Sequence, residues 1–238
     1  ADQVLGRLEE LAADNKTSGS DAALMALLGR AYMQIGNVAA AEKILKSALE
    51  LEPENMQYRL QLTDLFMKTG RVDIAESTLR SSLSKLVGGK ESSQSRLWLG
   101  QVYTQLGDIG LARQNLPQAI ASYRDALKHW PEQFSARNNL AWLLATEPDL
   151  GVRNPEEAVV QAEYASGLPG AREKGSLGTL AAAYAAAGRM QEAVQTAEEA
   201  LRIAESQGNP AAIDQLRQQL ELHRNGKALF ESVIVGAE

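Results

Sequence analysis

A short pattern recurs along this chain at a step of 34 residues, and that step limits the folds open to it. The clearest copy is Leu28-Gly29, Tyr32, Gly36, Ala41, Ala48 and Pro53. Leu62, Phe66, Gly70 and Ala75 stand 34 residues after Leu28, Tyr32, Gly36 and Ala41. Within each copy the apolar positions fall three and four apart, the spacing of one helical face. The glycine can take the positive φ that stops a helix. Each copy therefore reads as two antiparallel helices joined at glycine. Ala41 marks their close approach, where a larger side chain would force them apart. One such hairpin cannot bury its own apolar stripe, so hairpins must stack.

Three further copies follow. Leu99-Gly100, Tyr103 and Gly107 open a third, and Ala119, Tyr123, Ala126 and Pro131 close it. Seven more residues separate Gly107 from Ala119 than separate Gly36 from Ala41, which predicts an enlarged inter-helix loop within 108–117. The fourth has Leu140-Ala141 and Leu144, then Ala158, Ala162 and Ala165. Between them Glu147–Pro155 reads as another enlarged loop, with Asn154 as N-cap, Pro155 in the first turn and Glu157 three after the cap. The fifth restores the compact spacing with Leu180-Ala181, Tyr184, Gly188, Ala193, Ala197 and Ala200. Asn209-Pro210 opens a last helix, whose Leu216, Leu220 and Leu222 can cover the final hairpin. The tail after Gly226 can fold back through Leu229, Phe230 and Val233.

The expected organisation is a helix remnant and linker over 1–21, five repeats over 22–208 (22–55, 56–92, 93–133, 134–173, 174–208) and a capping helix with tail over 209–238. Val4, Leu5, Leu8 and Leu11 lie on one side of the remnant. With the start at Ala1, this suggests a piece of a longer array.

Composition narrows the function. Only 5% of residues are aromatic, and alanine and leucine dominate, which favours helix. The 24 basic and 30 acidic side chains give a net charge of −6 and form no basic stripe, which argues against nucleic acid. No apolar run reaches the length that spans a bilayer, so direct membrane insertion is not expected. Cysteine is absent, so neither a disulfide framework nor a thiolate metal site can form. That absence suits cytosol and periplasm alike. No phosphate loop, zinc-protease motif or nucleophile elbow occurs. His129 and His223 lie near helix ends, and Glu156-Glu157 and Glu198-Glu199 are adjacent pairs that do not share a helical face. Neither catalysis nor a cofactor is expected.

These residues resemble the tetratricopeptide repeat signature over about residues 22–205. Tyr123-Arg124-Asp125-Ala126-Leu127 is similar to a common second-helix ending in that family. The last two repeats look like the C-terminal units of many bacterial members. The resemblance implies an all-α, right-handed solenoid of about five hairpins whose first helices line a concave groove. It implies a protein or peptide as partner in that groove. Homo-oligomeric assembly is the alternative, as is accessory work in an envelope secretion or polysaccharide-export machine, which would place the chain in the periplasm or at the envelope.

First-helix residues off the packing stripe are then the candidate contacts. The first repeat offers Arg30 and Met33, with Gln34 beside them. The second offers Leu60, Asp64 and Met67, with Gln57 and Lys68. The third offers Gln94, Leu97 and Gln101, with Gln105, and the fourth Asn138 and Trp142. Met33, Leu60, Met67 and Leu97 would form an adaptable apolar strip. Gln94, Gln101 and Asn138 could hydrogen-bond an extended backbone. Trp142 could anchor a partner or pack against the 146–155 loop, and Trp98 divides similarly between binding and packing. Trp130 at a helix end reads as structural. In the fifth repeat Gly178, Ala182 and Ala185 would make a nearly bare wall.

Overall fold

The computed structural model describes residues 20–172 and 175–230, together with Gly6. The expectations for Val4, Leu5, Leu8, Leu11 and Val233 lie outside the described residues. Among the described residues there are helices and no strands. They run α1 (Ser20–Gln34), α2 (Val38–Leu51), α3 (Met56–Lys68), α4 (Val72–Gly88), α5 (Ser93–Ala112), α6 (Leu116–His129), α7 (Phe134–Thr146), α8 (Pro155–Gly167), α9 (Ser176–Ala186), α10 (Met190–Gln207) and α11 (Pro210–Arg224). The chain divides into an N-terminal unit, Ala1–Arg113, and a C-terminal unit, Gln114–Glu238.

Local chemistry starts and stops these helices. Asparagine caps five of them: the side chains of Asn37, Asn55, Asn115, Asn154 and Asn209 accept N–H groups from the first turns of α2, α3, α6, α8 and α11. Ser92 and Ser95 form a reciprocal box at the head of α5. Gly36, Gly70 and Gly188 close the first helices of their repeats with φ near +75° (77°, 72° and 74°). The next residue donates its N–H back to the carbonyl of the aromatic five positions before: Asn37 to Tyr32 at 2.9 Å, Arg71 to Phe66 at 2.8 Å and Arg189 to Tyr184 at 2.8 Å. That bond satisfies a carbonyl the helix end would otherwise leave open.

In the N-terminal unit, α1 packs on α2, α3 on both, α4 on α3, and α5 on α3 and α4. Its core includes Ala41, Leu45, Leu65, Leu79, Val102 and Ile109. In the C-terminal unit, α7 packs on α6 and α8, α9 on α7 and α8, α10 on α9, and α11 on α10. The predicted close-approach residues Ala41, Ala75, Ala119, Ala158 and Ala193 are all 0% exposed. Seven positions on, Ala48, Ser82, Ala126, Ala165 and Ala200 are buried too. Buried Ser82 donates its hydroxyl to Thr78 O, so its polarity is satisfied within the helix. Gly29 also makes a close approach. A Cβ there would lie 2.5 Å from Cγ and 2.6 Å from Cδ2 of the fully buried Leu45.

Ion pairs link successive hairpins. Glu42 meets Arg71 at 2.7 Å, and the hydrogen bonds of Lys46 and then Arg71 hold its carboxyl below the usual carboxylate range. Glu76 takes Arg80 and Arg113, with the same consequence. Arg124 grips Glu157 with two bonds of 3.0 and 2.6 Å.

The third repeat corrects the expectation. No enlarged loop occupies 108–117. Helix α5 runs 20 residues to Ala112, and Asn115 already caps α6. The residue five before Ala119 is Gln114, with φ +57°, where Gly36 and Gly70 stand five before Ala41 and Ala75. The true equivalents of Leu28-Gly29 are thus Leu106-Gly107, and those of Tyr32 and Gly36 are Gly110 and Gln114. Leu99-Gly100 lies two turns early. Seven residues make almost two whole turns, so the stripe nearly superposes on itself after that slip.

The fourth repeat keeps its predicted loop. Asn154 Oδ1 accepts from Glu157 N at 3.1 Å, and Asn154 N donates to Leu144 O at 2.9 Å. The tail turns back as far as it is described. Ala228 is buried against Ala185 and Ala193, Phe230 packs there, and Arg153 from the loop stacks on Phe230 at 3.7 Å.

Candidate functional site

The N-terminal unit carries a cleft of about 610 Å³ between its first helices. Three helices each present one face to it. Helix α1 gives Arg30, Met33 and Gln34. Helix α3 gives Gln57, Leu60, Gln61, Asp64 and Lys68, spaced three and four apart as one face requires. Helix α5 gives Trp98, Gln101 and Gln105. The floor is apolar: Met33 and Trp98 pack on the core cluster that contains Leu60. The rim is rich in amides.

Charge in the cleft is sparse. Lys68 Nζ lies 2.9 Å from Asp64 Oδ2 one turn away, so the two largely cancel. Arg30 is exposed and has no ion-pair partner among the described residues. Gln105 Nε2 donates to Leu60 O at 3.3 Å, while its Oε1 is buried with no partner. Gln61 Oε1 is buried and unpartnered as well. Buried acceptors in that state are costly, and a donor from a ligand or water relieves them.

The C-terminal unit has a smaller cleft of about 260 Å³. Asn138, Asn139 and Trp142 of α7 face Thr179 of α9 and Gln215 of α11 across it. Helix α11 covers part of α9 here. Gln219, buried, donates Nε2 to Gly178 O at 2.8 Å, and Leu216 Cδ2 lies 3.2 Å from where a Cβ on residue 178 would sit. The bare wall expected of Gly178, Ala182 and Ala185 is therefore not open. All three are buried, and Ala185 packs with Ala193 and Ala228.

Of the ten candidate contacts, Arg30, Met33, Leu60, Asp64 and Gln101 come together in the larger cleft. Asn138 and Trp142 line the smaller one, and Asn138 Oδ1 is buried without a partner. Met67 is half-buried on the core cluster instead. Gln94 is exposed and Leu97 half-buried, and neither lines either of these two clefts; both belong to the extra length of α5. Gln61 lines the larger cleft as well. Its signal is the spacing from Gln57 and Asp64, four before and three after it. Trp130 caps α6, donating its N–H to Ala126 O at 2.8 Å.

Among the described residues no group of three His, Asp or Glu side chains could hold a metal ion. None of their helices is long and apolar enough to cross a membrane. His223 is buried in α11. Its Nδ1 lies 3.0 Å from Lys227 O, and its Nε2 has no partner. Burial lowers its pKa from the ordinary value, against the opposing bond to Lys227.

Family models for the tetratricopeptide repeat match residues 36–86, residues 5–55 and 111–166, and residues 175–206. The chain belongs to the tetratricopeptide repeat family. No curated protein sequence matches it. Solved tetratricopeptide folds do. A thermophilic member from Thermus thermophilus is 20% identical, with a TM-score of 0.60 over 84% of this chain and all of that one. Yeast Tom70 is 19% identical, with a TM-score of 0.70 over 94% of this chain and 44% of that one. YrrB, described as a tetratricopeptide protein with an unusual peptide-binding site, is 14% identical, with a TM-score of 0.51 over 89% of this chain and 97% of that one. At such identities the likeness concerns the fold. The all-α class and the helical-hairpin solenoid expected from the repeats are those of this family.

Proposed function

We propose that this tetratricopeptide protein is a non-catalytic scaffold that takes a segment of a partner protein into the cleft between α1, α3 and α5. The observation that carries the reading is the cleft itself: an apolar floor, a rim of amides and space of about 610 Å³. Such a surface suits a mixed polar and apolar ligand and lacks the grouped acids, bases or nucleophiles of a reaction site. The peptide-binding description of YrrB, a protein of the same fold, supports the reading by analogy.

Panning a displayed library of random 12-residue peptides against the full chain tests it. Recovered peptides should bind at least tenfold more weakly to Gln101→Trp, whose indole fills cleft space from a half-buried position. They should bind unchanged to Val160→Asp on the exposed face of α8. Equal affinity for parent and Gln101→Trp, with both folded, would refute the reading. Trp142 is proposed as a second anchor, so Trp142→Ala should weaken partner binding more than it lowers the melting temperature.

Self-association is a second reading, favoured by Leu27, Ile35 and Val38, which are 50%, 42% and 38% exposed around the first hairpin. Sedimentation velocity from micromolar to millimolar chain decides it. A single monomeric boundary throughout removes it.

A further inference from the structure

The smaller cleft, of about 260 Å³, differs in chemistry from the larger one. Among the described residues no charged side chain lines it. Asn138 and Asn139 of α7, Thr179 of α9 and Gln215 of α11 supply polar groups, and the half-buried Trp142 indole lines it with them. Ala212 and Leu216 of α11 add apolar surface. Asn138 Oδ1 is buried and accepts from none of the described residues, so it asks for a donor. Gln219 is committed elsewhere: its Nε2 donates to Gly178 O at 2.8 Å and holds α11 over α9. An ionised ligand would leave its hydration here and meet no opposite charge. A hydrocarbon would leave the amides without partners.

A saturated ring bearing several hydroxyls meets these demands together. Each hydroxyl both donates and accepts, so one can give its proton to Asn138 Oδ1 while others pair with Thr179 and Gln215. The C–H face of such a ring lies flat on an indole, whose faces carry the negative part of its quadrupole. The size suits a single ring, since pockets for drug-sized ligands begin at about 300 Å³. We propose that this cleft binds an uncharged pyranose sugar, with one face on Trp142 and one hydroxyl donating to Asn138 Oδ1. The site is separate from the cleft between α1, α3 and α5, and the proposal does not depend on what that cleft holds. Trp142 can serve one occupant at a time, so a bound sugar should displace any peptide that this indole anchors.

The probes are the methyl pyranosides of glucose, galactose, mannose, N-acetylglucosamine and N-acetylgalactosamine, titrated into the full chain and read by ligand-observed NMR. The methyl glycosides of glucuronic acid and glucosamine are the charged counterparts. Adenosine and a capped glutamine–leucine dipeptide are the uncharged ligands of other classes. At least one neutral sugar should bind saturably, and at least fivefold more tightly than either charged sugar, adenosine or the dipeptide. Trp142→Ala should weaken that sugar at least tenfold. Asn138→Leu removes the unsatisfied acceptor, so it should weaken the sugar at least fivefold while the melting temperature does not fall. Gln215→Ala, at an exposed position, should cost at least threefold in affinity and leave melting unchanged. The proposal is overturned if none of the neutral sugars binds saturably, or if a charged sugar, adenosine or the dipeptide binds as tightly as the best of them. Unchanged sugar affinity in folded Trp142→Ala or in folded Gln215→Ala overturns it as well.

Discussion

Gln114 is held at φ +57° where the other compact repeats place glycine, so its replacement by glycine should stabilise the chain. An L-residue in the left-handed region costs about 1–2 kcal/mol. Glycine gives back about 0.4–1 kcal/mol of that through its freer unfolded state. The balance is a stabilisation of about 0.5–1 kcal/mol. The Gln114 side chain is exposed, so no packing is lost. For a chain of this size that is a rise of about 1–4 °C in melting temperature. Repeat arrays need not unfold in one step, so hydrogen exchange of the first-turn amides of α6 is the sharper assay, with protection rising about two- to fivefold. The reverse change, Gly36→Gln, should lower stability by about the same 0.5–1 kcal/mol. An unchanged or less stable Gln114→Gly, or a neutral Gly36→Gln, would refute the argument that these turns are governed by backbone handedness.

Gly29→Ala should cost about 1–3 kcal/mol by overpacking against Leu45, and Leu45→Ala in the same chain should cost less in the Gly29→Ala background than in the parent. Urea melts of the four proteins check it, and strict additivity would count against the contact. His223 contributes stability that is full above its ordinary value of 6.5 and is lost as pH falls through the lower folded-state pKa, because the folded chain binds fewer protons there. The protection factors of the amides near 225–229, taken against the intrinsic pH dependence of exchange, should therefore fall below pH 6.5, and His223→Gln should flatten that dependence; an equal slope in the variant would contradict it. Asn154→Ala removes the cap of α8 and should cost about 1 kcal/mol, read by thermal melts. No change in melting would mean the loop, rather than the cap, sets where α8 begins.

The second-helix anchors were legible because they are alanines at a fixed step, and burial at 0% leaves no alternative residue of larger size. Asn154-Pro155-Glu157 was legible for a similar reason, since each residue type has one mechanical use at a helix start. The third repeat misled because Leu99-Gly100 and Leu106-Gly107 sit on nearly the same face two turns apart, and periodicity alone does not separate them. Gln114 hid the stop, as nothing in a glutamine announces a left-handed backbone. The covering of Gly178 was hidden as well. Leu216 belongs to the apolar pattern of α11, but the buried bond of Gln219 to Gly178 O is polar and leaves no trace in hydrophobic periodicity. The cleft was half legible: Leu60, Asp64 and Gln101 follow from helical spacing, whereas the orphaned oxygens of Gln61 and Gln105 depend on neighbours far along the chain.

The long α5 bears on how such arrays change over time. An insertion of three or five residues in a helix rotates everything beyond it and exposes the seam. An insertion of seven returns the next residue to almost the same azimuth, about 20° away, so the apolar stripe keeps its face while the helix grows by about 10 Å. Lengthening by a pair of turns therefore leaves a helix's buried face intact, and the 20 residues of α5 carry two Leu-Gly pairs, Leu99-Gly100 and Leu106-Gly107, on nearly one face.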